Sequence, residues 1–269
     1  MKMPHINTVE QLLSLWRDTL SKKARRLPAY KPGFDRTPPT DNIIELTEFQ
    51  NRRPRKKARI DIVPRNLNQE TLLFHLQDET KDIVFAIGPA GTGKSYMATL
   101  MAIQALRDGR IDKIVITRPN VAVDDRDIGY LPGDVIMKMT PWMKPIIDIF
   151  EEHYHPKEVV QMMQDGIIEA VPIAFVRGRT FKNAMILIDE AQGTTPASMI
   201  SLLTRIGEGS KMIVTGDLDQ TDHAGTNGLA DFLDRFTVHA SDRIALVRFE
   251  TKDVERHPAV REILKMYSH

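Results

Sequence analysis

Residues 88–95 read GPAGTGKS, three glycines set around a lysine and a hydroxyl in the pattern GxxxxGK[ST]. Such a loop does one kind of chemistry well. Gly88, Gly91 and Gly93 let the backbone curl until its N–H groups point at phosphate oxygens, with Pro89, Ala90 and Thr92 completing the curve. A helix starting at the lysine adds the favourable partial charge of its N-terminus, and Tyr96 falls in its first turn. Lys94 is suited to neutralising β- and γ-phosphates, and Ser95 to offering its hydroxyl to Mg2+. The pattern sits between an apolar run, DIVFAI, and a helical one, KSYMATLMAIQALRDG, the context in which it has meaning. These residues predict a nucleoside triphosphate site.

MILIDEAQ, residues 185–192, supplies a second requirement. Asp189, at the end of a buried run, is placed to hold Mg2+ through water, and Glu190 to orient and deprotonate an attacking water. A carboxylate at the second position points to hydrolysis rather than to transfer onto a small acceptor. IVTGDLDQ, 213–220, is a third piece, with Gln220 three residues after a strand-ending Gly-Asp. Gln220 then stands where a side chain can sense the γ-phosphate and pass the difference on. Gln69 offers the donor and acceptor needed to read an adenine edge, and reads equally well as a polar residue in a helix's first turn.

The elements that must hold these residues alternate in α/β fashion from about residue 67 onward. Helices are expected at LNQETLLFHLQD, KSYMATLMAIQALRDG, near 156–164, at PASMISLLTRIG, at NGLADFLDRF and at the end near Tyr267. Strands are expected at DIVFAI, KIVITR, VPIAFVRG, FKNAMILID, KMIVTGD and RIALVRF. Residues 129–153, with their prolines, read as a longer irregular insert. Near-continuous apolar strands suit a mostly parallel sheet covered by helices on both faces. Two segments follow: an N-terminal arm, 1–63, and an α/β domain, 64–269. The arm shows a short amphipathic helix at 8–20, a proline-rich connector and a basic cluster from Arg52 to Arg59.

Composition bounds the rest. The chain has 269 residues, 42% of them hydrophobic and 27% charged, in the ordinary range for a soluble globular protein. It has no cysteine, which excludes disulfides and thiolate metal sites. No apolar run approaches a membrane span and MKMPHINTVE lacks a signal peptide's apolar segment, so a cytoplasmic protein is expected. Residues 1–66 carry 15 Lys/Arg against 7 Asp/Glu, a net of +8, while 67–269 carry 22 against 29, a net of −7. A basic arm on an acidic body suits a polyanionic partner or a merely solvated appendage. His153 and His155 lack further ligands in a matched spacing and are not assigned to a metal.

The ordered blocks GPAGTGKS, ITRP (116–119), GYLPGD (129–134), FVRGRTF (175–181), IDEAQGTT, LTRIGEGSKMIVTGDLDQ and DVERHPAVREIL together resemble the PhoH family of P-loop ATPases, relatives of superfamily 1 helicases. The resemblance spans roughly residues 64–267, and departs from the family's DEAQN at Gly193. It implies a single RecA-like core that hydrolyses ATP with Mg2+ and takes RNA or single-stranded DNA as partner. By match, Gln69 reads adenine; residues 88–96 cradle the phosphates; Ser95 and Asp189 serve the metal; Lys94, Glu190, Gln192 and Gln220 are catalytic. Too few residues follow GDLDQ for the second lobe of related helicases, so an arginine is expected from a neighbouring copy in a homo-oligomer, a hexamer by resemblance. Arg256 is the first candidate, Arg205 the second and Arg248 the third. Arg118, Arg177 and Arg179 are the candidates for gripping a strand; Trp142 and Phe181 have the rings to stack on bases but read better as core residues. An ATP-driven switch acting on protein partners remains the competing class.

Overall fold

The computed structural model describes residues 59–119, 135–220 and 227–255 with three isolated positions beyond, the side chains of 135–141 excepted. The helix expected at 8–20, the basic residues 52–57 and Arg256 lie outside that range. Six strands form one parallel sheet: β1 (Ile83–Ile87), β2 (Lys113–Thr117), β3 (Ile168–Ala170), β4 (Ala184–Ile188), β5 (Lys211–Gly216) and β6 (Ile244–Arg248), in spatial order β3-β2-β4-β5-β1-β6. Every pairing is parallel. This is the α/β, RecA-like arrangement expected, with β5 inserted between the phosphate-loop strand and the strand that ends at Asp189.

Alternation along each strand explains the two covered faces. In β1, Val84 and Ala86 join the core beneath α1 (Leu67–Gln77), α2 (Lys94–Arg107) and α3 (Val135–Glu151), while Phe85 and Ile87 join the opposite core. That second core is closed by α5 (Pro196–Leu203) and α6 (Gly228–Val238), through Met199, Leu202, Leu229 and Leu233. The core reaches back to Ile60, whose N–H donates to Gln104 Oε1 at 2.7 Å. No helix among the described residues is long and apolar enough to cross a membrane.

Two expectations fail. The stretch expected to be irregular contains α3, seventeen residues long despite Pro141 and Pro145. Met143, Ile146, Ile147 and Phe150 bury the helical face that those prolines obscure, and packing outweighs the missing backbone donors. The strand expected at VPIAFVRG is also displaced. The edge strand is β3, Ile168–Ala170, preceded by α4 (Pro156–Gln164), and the chain passes through Pro172 into a 3-10 turn at Ile173–Phe175. Proline supplies no ladder donor, and the run ends there.

Behind the Asp189 turn, α6 approaches α5 closely enough to require a glycine. Gly228 N donates to Thr194 O at 2.7 Å. A Cβ on Gly228 would lie 2.4 Å from Thr195 O, a backbone atom with no freedom to rotate away. Gly228→Ala should therefore cost about 1–3 kcal/mol of stability by overpacking, read as a lower urea midpoint. An unchanged midpoint would disprove the close approach.

Candidate functional site

The parallel register brings the C-terminal ends of β1, β4 and β5 to one edge, and the predicted chemistry collects there. After β1 the chain turns through Gly88, Gly91 and Gly93 at φ 144°, 84° and 84°, and α2 starts at Lys94. Gly88 also meets Phe249, whose carbonyl oxygen would stand 2.3 Å from an added Cβ. The loop is thus set by conformation and by crowding together. The Lys94 ammonium donates to Gly88 O (2.6 Å), Pro89 O (2.7 Å) and Thr92 Oγ1 (3.2 Å) and lines the mouth of the loop.

Three hydroxyl and carboxyl groups meet beside it. Ser95 Oγ donates to Asp189 Oδ1 at 2.6 Å, and Thr215 Oγ1 donates to the same oxygen at 2.6 Å. Asp189 is 7% exposed. Its backbone N–H is anchored to Thr117 O at 3.0 Å, so β2 as well as β5 fixes the carboxylate. A hard dication suits this oxygen cluster, a serine hydroxyl and a carboxylate at the mouth of an anion-binding loop, and Ser95 and Asp189 are the residues that would hold Mg2+. Thr215 belongs to the strand end that the sequence places beside the γ-phosphate, and its bond to Asp189 is what the local pattern does not carry.

Glu190 follows at φ 55°, ψ 43°, a left-handed conformation uncommon for a residue with a side chain. Its Oε1 accepts from Arg118 Nη2 at 3.1 Å and its Oε2 from Gln192 Nε2 at 2.6 Å. Gln192 Oε1 in turn accepts from Asp217 N at 3.0 Å, and Gln220 Nε2 donates to Asp217 Oδ2 at 2.7 Å. The two glutamines expected near the γ-phosphate are therefore joined through Asp217, the aspartate of the strand-ending Gly-Asp. A cleft of about 250 Å³ runs along these groups, lined by Ala90, Gly91, Gly93 to Tyr96, Asp189, Glu190, Thr215 to Asp217 and Gln220.

Gln69 stands against the loop. Its Nε2 donates to Thr92 O at 3.0 Å and its Oε1 accepts from Arg65 N at 2.8 Å, so its amide braces the phosphate loop. Asn68 Nδ2 donates to Asp253 Oδ2 at 2.6 Å, and Glu255 N donates to Gly91 O at 2.9 Å. The start of α1 and the segment after β6 are thereby tied to the same loop. Tyr96 extends from α2 to bond Glu152 Oε2 at 3.1 Å, and partial burial, then the Glu152 carboxylate, raise its phenol above its ordinary value.

The remaining arginines are dispersed. Arg118 is at the site, paired with Glu190. Arg179 pairs with Glu169 at 2.6 Å and lies over the Phe181 ring, near Lys113 at the other end of β2. Lys113 and Arg118 are separated by the length of that strand, roughly 16 Å. Arg177 is exposed, and Phe181, 2% exposed, is a core residue. Arg205 donates to Arg179 O (3.2 Å) and Thr204 Oγ1 (2.9 Å) at the N-terminal side of β4 and β5, away from the cleft. Arg248 ends β6 and is exposed. Trp142 is partly buried and offers its carbonyl to Arg118. His155 caps α4, its Nδ1 accepting from Lys157 N at 3.2 Å.

Comparison with known proteins adds kinship. The family described as PhoH-like protein matches residues 61–268. A PhoH-like protein of Bacillus subtilis (strain 168) is 43% identical over 188 residues, covering 69% of this chain and 58% of its own length. A PhoH-like protein of Mycobacterium tuberculosis (strain H37Rv) is 38% identical over 237 residues, 84% of this chain and 66% of that one. Protein PhoH of Escherichia coli (strain K12) is 36% identical over 213 residues, 77% and 59%. The chain spans about three fifths of the length of such relatives. Among solved structures, the large terminase from a thermophilic bacteriophage aligns with a TM-score of 0.45 at 14% identity, over 76% of this chain and 50% of the other. A phosphate loop, an Asp-Glu strand end one strand away and a family match over nearly all of the α/β body lead to one conclusion: this chain belongs to the PhoH family and carries its P-loop NTPase core.

Proposed function

We propose that this protein hydrolyses ATP with Mg2+ and couples the cycle to binding and remodelling RNA or single-stranded DNA. The observation that carries the reading is Glu190, a carboxylate held at the cleft wall beside the Ser95–Asp189–Thr215 cluster. In this reading the loop amides and Lys94 hold the β- and γ-phosphates. Bound Mg2+ supplies charge neutralisation of the phosphate oxygens. Glu190 accepts a proton as water attacks the γ-phosphorus, the bond to the β,γ-bridging oxygen breaks, and ADP and phosphate leave. Gln192 and Gln220, joined at Asp217, sense the γ-phosphate and transmit its loss through β5. In this reading Gln69, whose amide braces the loop, is also the adenine-reading residue.

A strand partner is supported by the polar cleft beside Arg118 and by the basic N-terminal arm. Helicase activity, a homohexameric ring and an arginine supplied in trans, with Arg256 first and Arg205 second, belong to the same proposal, as does a cytoplasmic location.

The deciding measurement is ATP turnover of the purified protein at low salt, with and without single-stranded RNA and DNA. Stimulation by either strand is expected, and its absence with both would overturn the nucleic-acid reading in favour of a switch acting on protein partners. Glu190→Gln should lower turnover by about a hundredfold or more while leaving nucleotide affinity in place. Retained turnover would remove Glu190 from the role of base. Arg256→Gln should cut turnover by about a thousandfold with ATP affinity kept, if it is the arginine finger. Mixing Arg256→Gln with Glu190→Gln subunits should then restore partial activity, and failure of that rescue would argue against action across subunits.

A further inference from the structure

Glu190 and Gln220 line two clefts at once. One is the nucleotide cleft; the other, about 490 Å³, is completed by Arg118, Pro119, Gln192, Gly193 and Asp219. The proposed base is therefore part of the wall between them. Both its oxygens are committed to residues of the second cleft, Oε1 to Arg118 at 3.1 Å and Oε2 to Gln192 at 2.6 Å.

Each oxygen keeps a second acceptor site, so what the two bonds fix is the direction of the carboxylate, and swinging it toward an attacking water loosens one of them. The two are unequal. Gln192 is 7% exposed and fixed at its other end, its Oε1 accepting from Asp217 N at 3.0 Å. Arg118 has a side chain 28% exposed and meets Glu190 through a single nitrogen. Among the described residues its other anchor is one neutral acceptor, Trp142 O at 3.1 Å. Arg118 is the side of the clasp that can let go.

A guanidinium offers a planar fork that matches two phosphate oxygens better than one carboxylate oxygen reached singly. Arg118 is also the only cation lining the second cleft among the described residues, and Gly193 leaves backbone rather than side chain exposed there. Asp219, in the same cleft, opposes an anion. Capture is therefore weak and sensitive to salt.

We propose that the Arg118–Glu190 ion pair is a catch on the base: a phosphodiester entering the second cleft draws the guanidinium to itself and frees Glu190 to take the proton of the attacking water. This rests on the ATP-hydrolysis reading above and gives it a coupling device. The phosphodiester and the Glu190 carboxylate then compete for one guanidinium.

The test is ATP turnover of the full chain and of Arg118→Ala and Arg118→Lys, with and without a single-stranded uridine homopolymer, in low and moderate salt. Arg118→Ala should raise strand-free turnover about two- to fivefold, the range that partly exposed ion pairs span, and lose most of the strand's stimulation. Arg118→Lys, which keeps a charge at the carboxylate but not the planar fork, should fall between wild type and Arg118→Ala in both strand-free rate and stimulation. A strand-stimulated wild type whose Arg118→Ala form is slower, unchanged or still fully stimulated would overturn the catch alone. A wild type indifferent to the strand would overturn the phosphodiester as releasing ligand together with the nucleic-acid reading. Should Arg118→Ala not fold, Arg118→Gln, which keeps a donor for the Trp142 carbonyl, carries the same expectations.

Discussion

Two hydrogen bonds to one oxygen organise this protein. Asp189 Oδ1 accepts from Ser95 Oγ and from Thr215 Oγ1, each at 2.6 Å, and the three residues come from the starts and ends of three different elements. Ser95 rides on α2, Asp189 follows β4, and Thr215 sits near the end of β5. For the three to meet, β4 and β5 must be neighbours, β1 must lie on the far side of β5, and all must run parallel. The strand order satisfies each condition. A shift of one residue in the β4–β5 register would exchange the inward and outward faces of the strand and separate Asp189 from Thr215.

The sheet's two hydrophobic cores serve that register. Val84 and Ala86 face one core and Phe85 and Ile87 the other, so β1 is gripped from both sides and its last residue delivers the phosphate loop to a defined place. The loop is braced in turn by Gln69 through Thr92 O, by Phe249 against Gly88, and by Glu255 N on Gly91 O. Around Asp217 the same economy appears in polar form. One residue joins Gln192 to Gln220, and Gln192 continues to Glu190 and hence to Arg118. The chain of bonds runs from Gln220, at the cleft beside the phosphate loop, to Arg118 in a second cleft without a gap.

Much of this was legible locally. A phosphate loop is a contiguous pattern, because adjacent backbone amides do the binding. MILIDE is a buried strand with carboxylates at its end, and both features lie within six residues. What was misread were features whose sign depends on distant partners. Pro141 and Pro145 are local breakers, yet α3 forms because Met143, Ile146, Ile147 and Phe150 find a surface to bury against. VPIAFVRG has the residues of a strand, yet the edge position beside β2 is taken by Ile168–Ala170, and Pro172 ends the ladder. Arg118, Arg177 and Arg179 share a type and suggested a track. In the fold Arg179 is spent on Glu169 and Phe181, and only Arg118 reaches the site.

By itself the sequence determined the local patterns: a phosphate-loop motif between a strand and a helix, a carboxylate pair at a strand end, the strand-ending Gly-Asp with its glutamine, and the alternation that makes a parallel sheet. Those depend on residue type and on spacings of a few residues, which the chain carries wherever it goes. Tertiary structure alone decided that Thr215 completes the Asp189 cluster, that Asp217 couples the two glutamines, and that Arg118 holds Glu190 rather than joining the other arginines. Each of these joins residues 25 or more positions apart, except the Gln220 bond to Asp217. Only a fixed strand order and register bring such groups within hydrogen-bonding reach.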